Sequence, residues 1–105
     1  MRYVVRYAPE ARAQLDALYA YIARQASPDT AWRFTDAIVD RCESLCDYAL
    51  RGTPRDDIRP GLRTLPFRRR VTIAYAIAGS QVTILAIFYG GQNVAAMLSA
   101  DDGES

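Results

Sequence analysis

The chain has 105 residues, half of them hydrophobic, and 13 basic against 12 acidic side chains give a formal net charge of +1; this suits one compact domain and excludes a charge-rich disordered segment. Every basic residue is an arginine, with no lysine and no histidine, so Ser or Cys triads, histidine-bearing metal centres and lysine-dependent phosphate chemistry all lack their parts. No window holds the ~18 uninterrupted apolar residues of a membrane span, and Met1 to Arg6 lacks a secretory apolar core, so a cytoplasmic protein without membrane contact is expected.

In chain order, Arg2 to Tyr7 alternates, with Tyr3, Val5 and Tyr7 on one face and Arg2, Val4 and Arg6 on the other, which predicts a half-buried strand. Ala8-Pro9 ends it. Proline is tolerated at the first helical position, and Leu15, Leu18, Tyr19 and Ile22 recur at helical spacing, so a helix is predicted over 9–25. Ser27-Pro28-Asp29 offers an N-cap, a first-turn proline and an early acid, opening a second helix to about residue 49 with Phe34, Ile38, Cys42, Leu45 and Cys46 as its stripe. A break so short between two amphipathic helices argues for an antiparallel helical hairpin. Cys42 and Cys46 are expected to be buried and reduced, because a disulfide fits poorly inside a regular helix and two thiolates make an incomplete zinc site.

Gly52-Thr53-Pro54 ends the helical region, and 51–61 reads as a polar loop. Strands follow at Leu62 to Phe67, Val71 to Ala78 and Val82 to Tyr89, the last two joined by a Gly79-Ser80 hairpin turn. In the first of those two, Val71, Ile73, Tyr75 and Ile77 share one face. In the last strand both faces are apolar: Val82, Ile84, Ala86 and Phe88 against Thr83, Leu85, Ile87 and Tyr89. It should therefore lie centrally with both faces covered, whereas one helical hairpin covers one face. The other face awaits Val94 to Leu98, a second copy or a partner's helix. The expected fold is α+β: an N-terminal strand, an antiparallel helical hairpin, then a three-stranded antiparallel meander, forming one small sheet packed on the two helices. Residues 1–98 form the single domain, and 99–105 an acidic flexible tail.

Seven arginines between Arg51 and Arg70 face only Asp56 and Asp57, a local balance of +5. Arginine holds its proton and presents a planar fork of donors, so such a cluster recognises carboxylates or phosphates and does not shuttle protons. Asp56-Asp57 reads as local charge balance, and Gly90-Gly91 as a turn too short to cradle a phosphate. No cofactor is expected. One enzymatic chemistry survives: RNA cleavage by its own 2'-hydroxyl, with Arg59, Arg63, Arg69, Arg70 and Tyr89 around the phosphate. It lacks a convincing base.

The element order, together with Gly61-x-Arg63, Val71-x-Ile73-x-Tyr75 and the run Ile84-Leu85-Ala86-Ile87-Phe88-Tyr89-Gly90-Gly91-Gln92-Asn93, resembles the RelE/ParE superfamily of bacterial type II toxins over residues 2–98. In that superfamily, RelE-like members are ribosome-dependent mRNA endoribonucleases that use Lys, Arg and a Tyr or His near the end of the last strand. ParE-like members poison DNA gyrase and are not nucleases. The missing lysines and histidines, with the Phe88-Tyr89-Gly90-Gly91 ending, place the resemblance on the ParE-like side. It implies a non-enzymatic gyrase inhibitor neutralised by a ParD-like antitoxin, whose amphipathic segment covers an apolar groove while its acids meet the arginines. The partner-binding residues it implies are Arg59, Arg63, Arg68, Arg69, Arg70, Tyr75, Tyr89, Gln92 and Asn93. Trp32 is either a core residue or a further antitoxin contact, and direct nucleic-acid binding is not expected. The alternative is a RelE-like ribonuclease with Arg59, Arg63, Arg70 and Tyr89 as its catalytic set.

Overall fold

The structure, a computed structural model, describes residues 2–90. Strand β1 (Val4–Tyr7) runs into helix α1 (Pro9–Gln25), which begins as expected on its proline, with Ala8 extended and offering no side-chain cap. Helix α2 (Pro28–Glu43) is opened by Ser27, whose hydroxyl accepts the Thr30 N–H at 3.1 Å, and an Asp29–Arg33 ion pair spans its first turn. The helices form the antiparallel hairpin that the short break foretold: Arg12 and Leu15 from the start of α1 line one hollow with Val39 and Glu43 from the end of α2, and Tyr19 lines another with Trp32 and Thr35.

Helix α2 stops six residues short of the expected end. Two 3-10 turns, Ser44–Cys46 and Ala49–Arg51, replace its last turns, and the Ser44 hydroxyl donates to the Arg41 carbonyl at 2.6 Å. A serine hydroxyl competing for a carbonyl one turn back slightly destabilises a helix and often bends it. Cys46 thereby leaves the stripe. It is half-buried, its Sγ accepting from the Arg2 guanidinium at 3.1 Å, while Cys42 is fully buried and both thiols are free. Burial, with the neighbouring Glu43 carboxylate adding to it, pushes the Cys42 thiol up to about 12.

The sheet is larger than the expected arrangement and of mixed sense. Strands β2 (Thr53–Pro54), β3 (Leu62–Phe67), β4 (Val71–Ala78) and β5 (Gln81–Tyr89) pair antiparallel in sequence, and β1 joins β5 in parallel, giving the order β1-β5-β4-β3-β2. The additional strand, β2, comes from residues that read as a helix terminator within a polar loop. Proline is tolerated there because β2 is an edge. The central place expected for β5 holds, and Gly79 turns the β4–β5 hairpin with φ of +61°.

The face assignment in β5 needs correction. Pairing with β4 jumps from Ala74↔Ala86 to Tyr75↔Ile84, leaving Leu85 as a bulge. The extra residue reverses the alternation, so Val82, Ile84, Ile87 and Tyr89 all pack on the helix side with Leu18, Ile38, Ile73 and Tyr75. Ala86 and Phe88 turn to the opposite face, joining Leu62 and Ala74 in a smaller cluster that Ile58 and Leu85 flank. A strand apolar on both faces is thus partly a strand that changes face midway. Among the described residues Ile58, from the loop before β3, packs on that second face; of the three covers left open, Val94 to Leu98 lies outside the described residues, as does the tail 99–105.

Candidate partner interface

Several arginines of the 51–70 cluster are committed to the fold. Arg63, half-buried on β3, donates from Nη1 to the carbonyls of Leu50 at 3.0 Å and Gly52 at 2.6 Å. Its cross-strand neighbour Tyr75 donates its hydroxyl to the Ala49 carbonyl at 2.7 Å and accepts the Gly52 N–H at 2.9 Å. Glycine is required at 52 because an added Cβ would stand 2.6 Å from the Tyr75 hydroxyl. Burial raises the Tyr75 pKa. Together the two side chains clamp the segment that leaves the helices and becomes β2. Tyr75, expected to meet a partner, is 0% exposed here and shapes the surface from beneath.

The loop before β3 is balanced internally. Arg55 makes a two-pronged contact with Asp57 at 3.1 and 3.0 Å, which holds that carboxyl below its usual range, and Asp56 accepts the Gly61 N–H at 2.9 Å. Arg51 donates to the Ser44 hydroxyl at 3.0 Å. Arg59 is half-buried and has no side-chain partner among the described residues.

The free charge gathers at the β3–β4 turn. Arg68, Arg69 and Arg70 are consecutive and exposed, and the first two hold φ of +56° and +99°. Left-handed backbone costs a residue with a Cβ about 1–2 kcal/mol, so a turn that glycine would fill more cheaply carries guanidinium groups instead. Arg68 lies over the rings of Phe67 at 4.9 Å and Phe34 at 5.7 Å, and Arg41 covers Phe67 at 5.2 Å. Phe34 in turn meets Tyr89 edge-on at 6.3 Å, and Tyr89 meets Tyr21 at 6.0 Å. Beside this aromatic row, Gln14, Ala17, Leu18, Tyr21, Ile87 and Tyr89 line an open hollow of about 300 Å³. Pairing of β1 stops at Ile84, and the Gln14 side chain takes over by accepting the Ile87 N–H at 2.7 Å. A basic turn thus borders an apolar hollow.

The four residues of the alternative ribonuclease set do not meet. Arg70 and Tyr89 are neighbours, since the Gly90 N–H bonds the Arg70 carbonyl at 2.8 Å and Tyr89 pairs with Val71. Arg63 pairs with Tyr75, four residues further along β4, about 13 Å at the usual strand rise. Arg59 precedes Arg63 in the loop. Gln92 and Asn93 lie outside the described residues. Sequence reasoning missed Gln14, a polar residue unremarkable on a helix, and left Trp32 between core and surface. Trp32 is 61% exposed, over a groove between α1 and α2.

The sequence profile of the ParE toxin of the type II toxin-antitoxin system parDE matches residues 5–94. The chain belongs to the ParE toxin family. A chain of the chromosomal ParDE TA system from P. aeruginosa is similar to it at a TM-score of 0.75 with 26% identity, covering 86% of this chain and 98% of that one. A chain of the toxin-antitoxin complex RelBE2 from Mycobacterium tuberculosis is similar at 0.63 with 25% identity, covering 85% and 99%. No curated protein matches. This ParE-family chain is accordingly a type II toxin of the RelE/ParE superfamily, and none of its helices among the described residues is long and apolar enough to cross a membrane.

Proposed function

We propose that this ParE-family toxin arrests growth by inhibiting DNA gyrase in the cytoplasm, as a binding protein without catalytic activity, and that a ParD-like antitoxin neutralises it. The observation that carries the reading is the separation of Arg59 and Arg63 from Arg70 and Tyr89, with Arg63 already spent on two backbone carbonyls. Self-cleavage of RNA needs a proton acceptor beside cations that converge on one phosphate. A chain with neither lysine nor histidine has few candidates for the acceptor.

The antitoxin half of the proposal draws support from the basic turn beside the apolar hollow. An amphipathic segment could lay aliphatic side chains against Tyr21, Ile87 and Tyr89 while its carboxylates reach Arg68, Arg69 and Arg70. Paired assays test the function: gyrase supercoiling and ribosome-programmed message cleavage, run with the same purified toxin. Inhibited supercoiling with intact message is expected. Message cleavage that vanishes in Tyr89→Phe, with gyrase unaffected, would replace the proposal with the ribonuclease reading.

A further inference from the structure

The two halves of the described chain carry opposite charge. Residues 9–43 hold six acids against four arginines, whereas 51–70 holds seven arginines against two acids. On the helical half, α1 and α2 leave a groove of about 460 Å³ lined by half-buried Leu15, Tyr19 and Val39 and by exposed Asp16, Asp36 and Trp32. Neither aspartate has an ion-pair partner among the described residues. This groove is separate from the hollow beside Tyr89, with which it shares no lining residue.

An indole left 61% exposed beside an aliphatic lining is the kind of residue that anchors interfaces, because a large rigid side chain gains much on burial and loses little entropy. Its neighbours set the sign of the partner. Two uncompensated carboxylates at the groove would repel an acidic segment and attract a basic one. A groove between two antiparallel helices suits a third helix that presents side chains at three- and four-residue spacing.

We infer that this groove is a second docking surface, which takes an amphipathic helix with aliphatic and basic side chains from a partner protein other than the acidic antitoxin. The inference rests on the proposed toxin function only in giving the acidic segment to the arginine side. The two surfaces then serve partners of opposite charge.

Trp32 is the only tryptophan, so its emission reports groove occupancy directly. The probes are two synthetic amphipathic helices of about 14 residues, roughly four turns, one built of Leu and Lys and the other of Leu and Glu. The Leu/Lys helix is expected to shift the emission of the full toxin to shorter wavelength, the Leu/Glu helix to leave it unchanged. The double variant Asp16→Lys/Asp36→Lys, changed only at exposed positions, is expected to bind the Leu/Lys helix at least tenfold more weakly and the antitoxin within twofold of the parent. Equal shifts with both helices, or undiminished Leu/Lys binding by the variant, overturn the inference. So does a shift that follows toxin concentration alone, which makes the occupant a second copy. Loss of antitoxin binding in the variant overturns it too, by giving the groove to the antitoxin. If gyrase proves insensitive while the charge-dependent shift holds, the groove inference stands and the gyrase reading falls.

Discussion

Replacing Arg63 with alanine should lower stability and leave antitoxin recognition intact, the reverse of what a partner-binding or catalytic arginine would do. In the structure its guanidinium donates to two carbonyls, those of Leu50 and Gly52. A hydrogen bond from a charged donor contributes about 1.5–3 kcal/mol when well buried; Arg63 is half-buried and water can reach one acceptor, so a loss of about 1–2 kcal/mol is expected. Tyr75→Phe acts on the same segment from inside. It orphans the Ala49 carbonyl and the Gly52 N–H, each costing about 1–2 kcal/mol where water is excluded. The phenylalanine variant should therefore lose about 2–4 kcal/mol, and its melting temperature should fall by roughly 8–32 °C at the usual 4–8 °C per kcal/mol for a domain of this size. Urea unfolding reads both changes as shifted midpoints at constant slope. Because both side chains hold one segment, the double variant should lose less than the sum, by about 0.5 kcal/mol or more. Unchanged melting of Arg63→Ala, together with abolished antitoxin binding or growth arrest, would refute the clamp.

Three further outcomes follow from the geometry. Arg69→Gly should raise stability by about 1 kcal/mol by relieving the φ of +99°, while weakening the antitoxin complex in a salt-dependent way, measured by titration at two ionic strengths. Ser27→Ala removes the cap that accepts the Thr30 N–H and should cost about 1 kcal/mol in chemical unfolding. In a Cys46→Ala background, Cys42 should react with a thiol reagent only on unfolding. Its pKa is raised to about 12 in the fold, so its stabilising effect as a neutral thiol is complete below ~8.5 and lost as pH climbs toward 12. The parent should accordingly lose stability across that alkaline window faster than Cys42→Ala does.

Much of the architecture was legible because single residues set it. Pro9 and Ser27-Pro28 start the helices where they stand, and Gly79 makes the turn that pairs β4 with β5. What escaped reading depends on tertiary partners. Leu85 looks like any strand residue, and the bulge exists because Ile84 and Ala86 both find partners on β4. The Thr53-Pro54 strand depends on Arg63 and Tyr75 pinning residues 49–52, two interactions with no local signature.

The candidate interface was half-legible for the same reason. The arginine cluster is plain in the sequence, but which guanidinium groups stay free is decided by carbonyls and carboxylates that the fold brings near. Arg55 and Arg63 are consumed, whereas Arg68, Arg69 and Arg70 end up at the turn beside the Tyr89 hollow. Trp32 shows the limit most clearly. It sits one position from buried Ala31 and three from buried Thr35, so helical spacing alone admits either side.

The most direct measurement is supercoiling by purified gyrase titrated with the toxin, with the ParD-like antitoxin added back at the end. The proposed function predicts dose-dependent loss of supercoiling that Arg63→Ala retains at temperatures where it is folded, and that the antitoxin reverses. Full supercoiling activity at saturating folded toxin would contradict it.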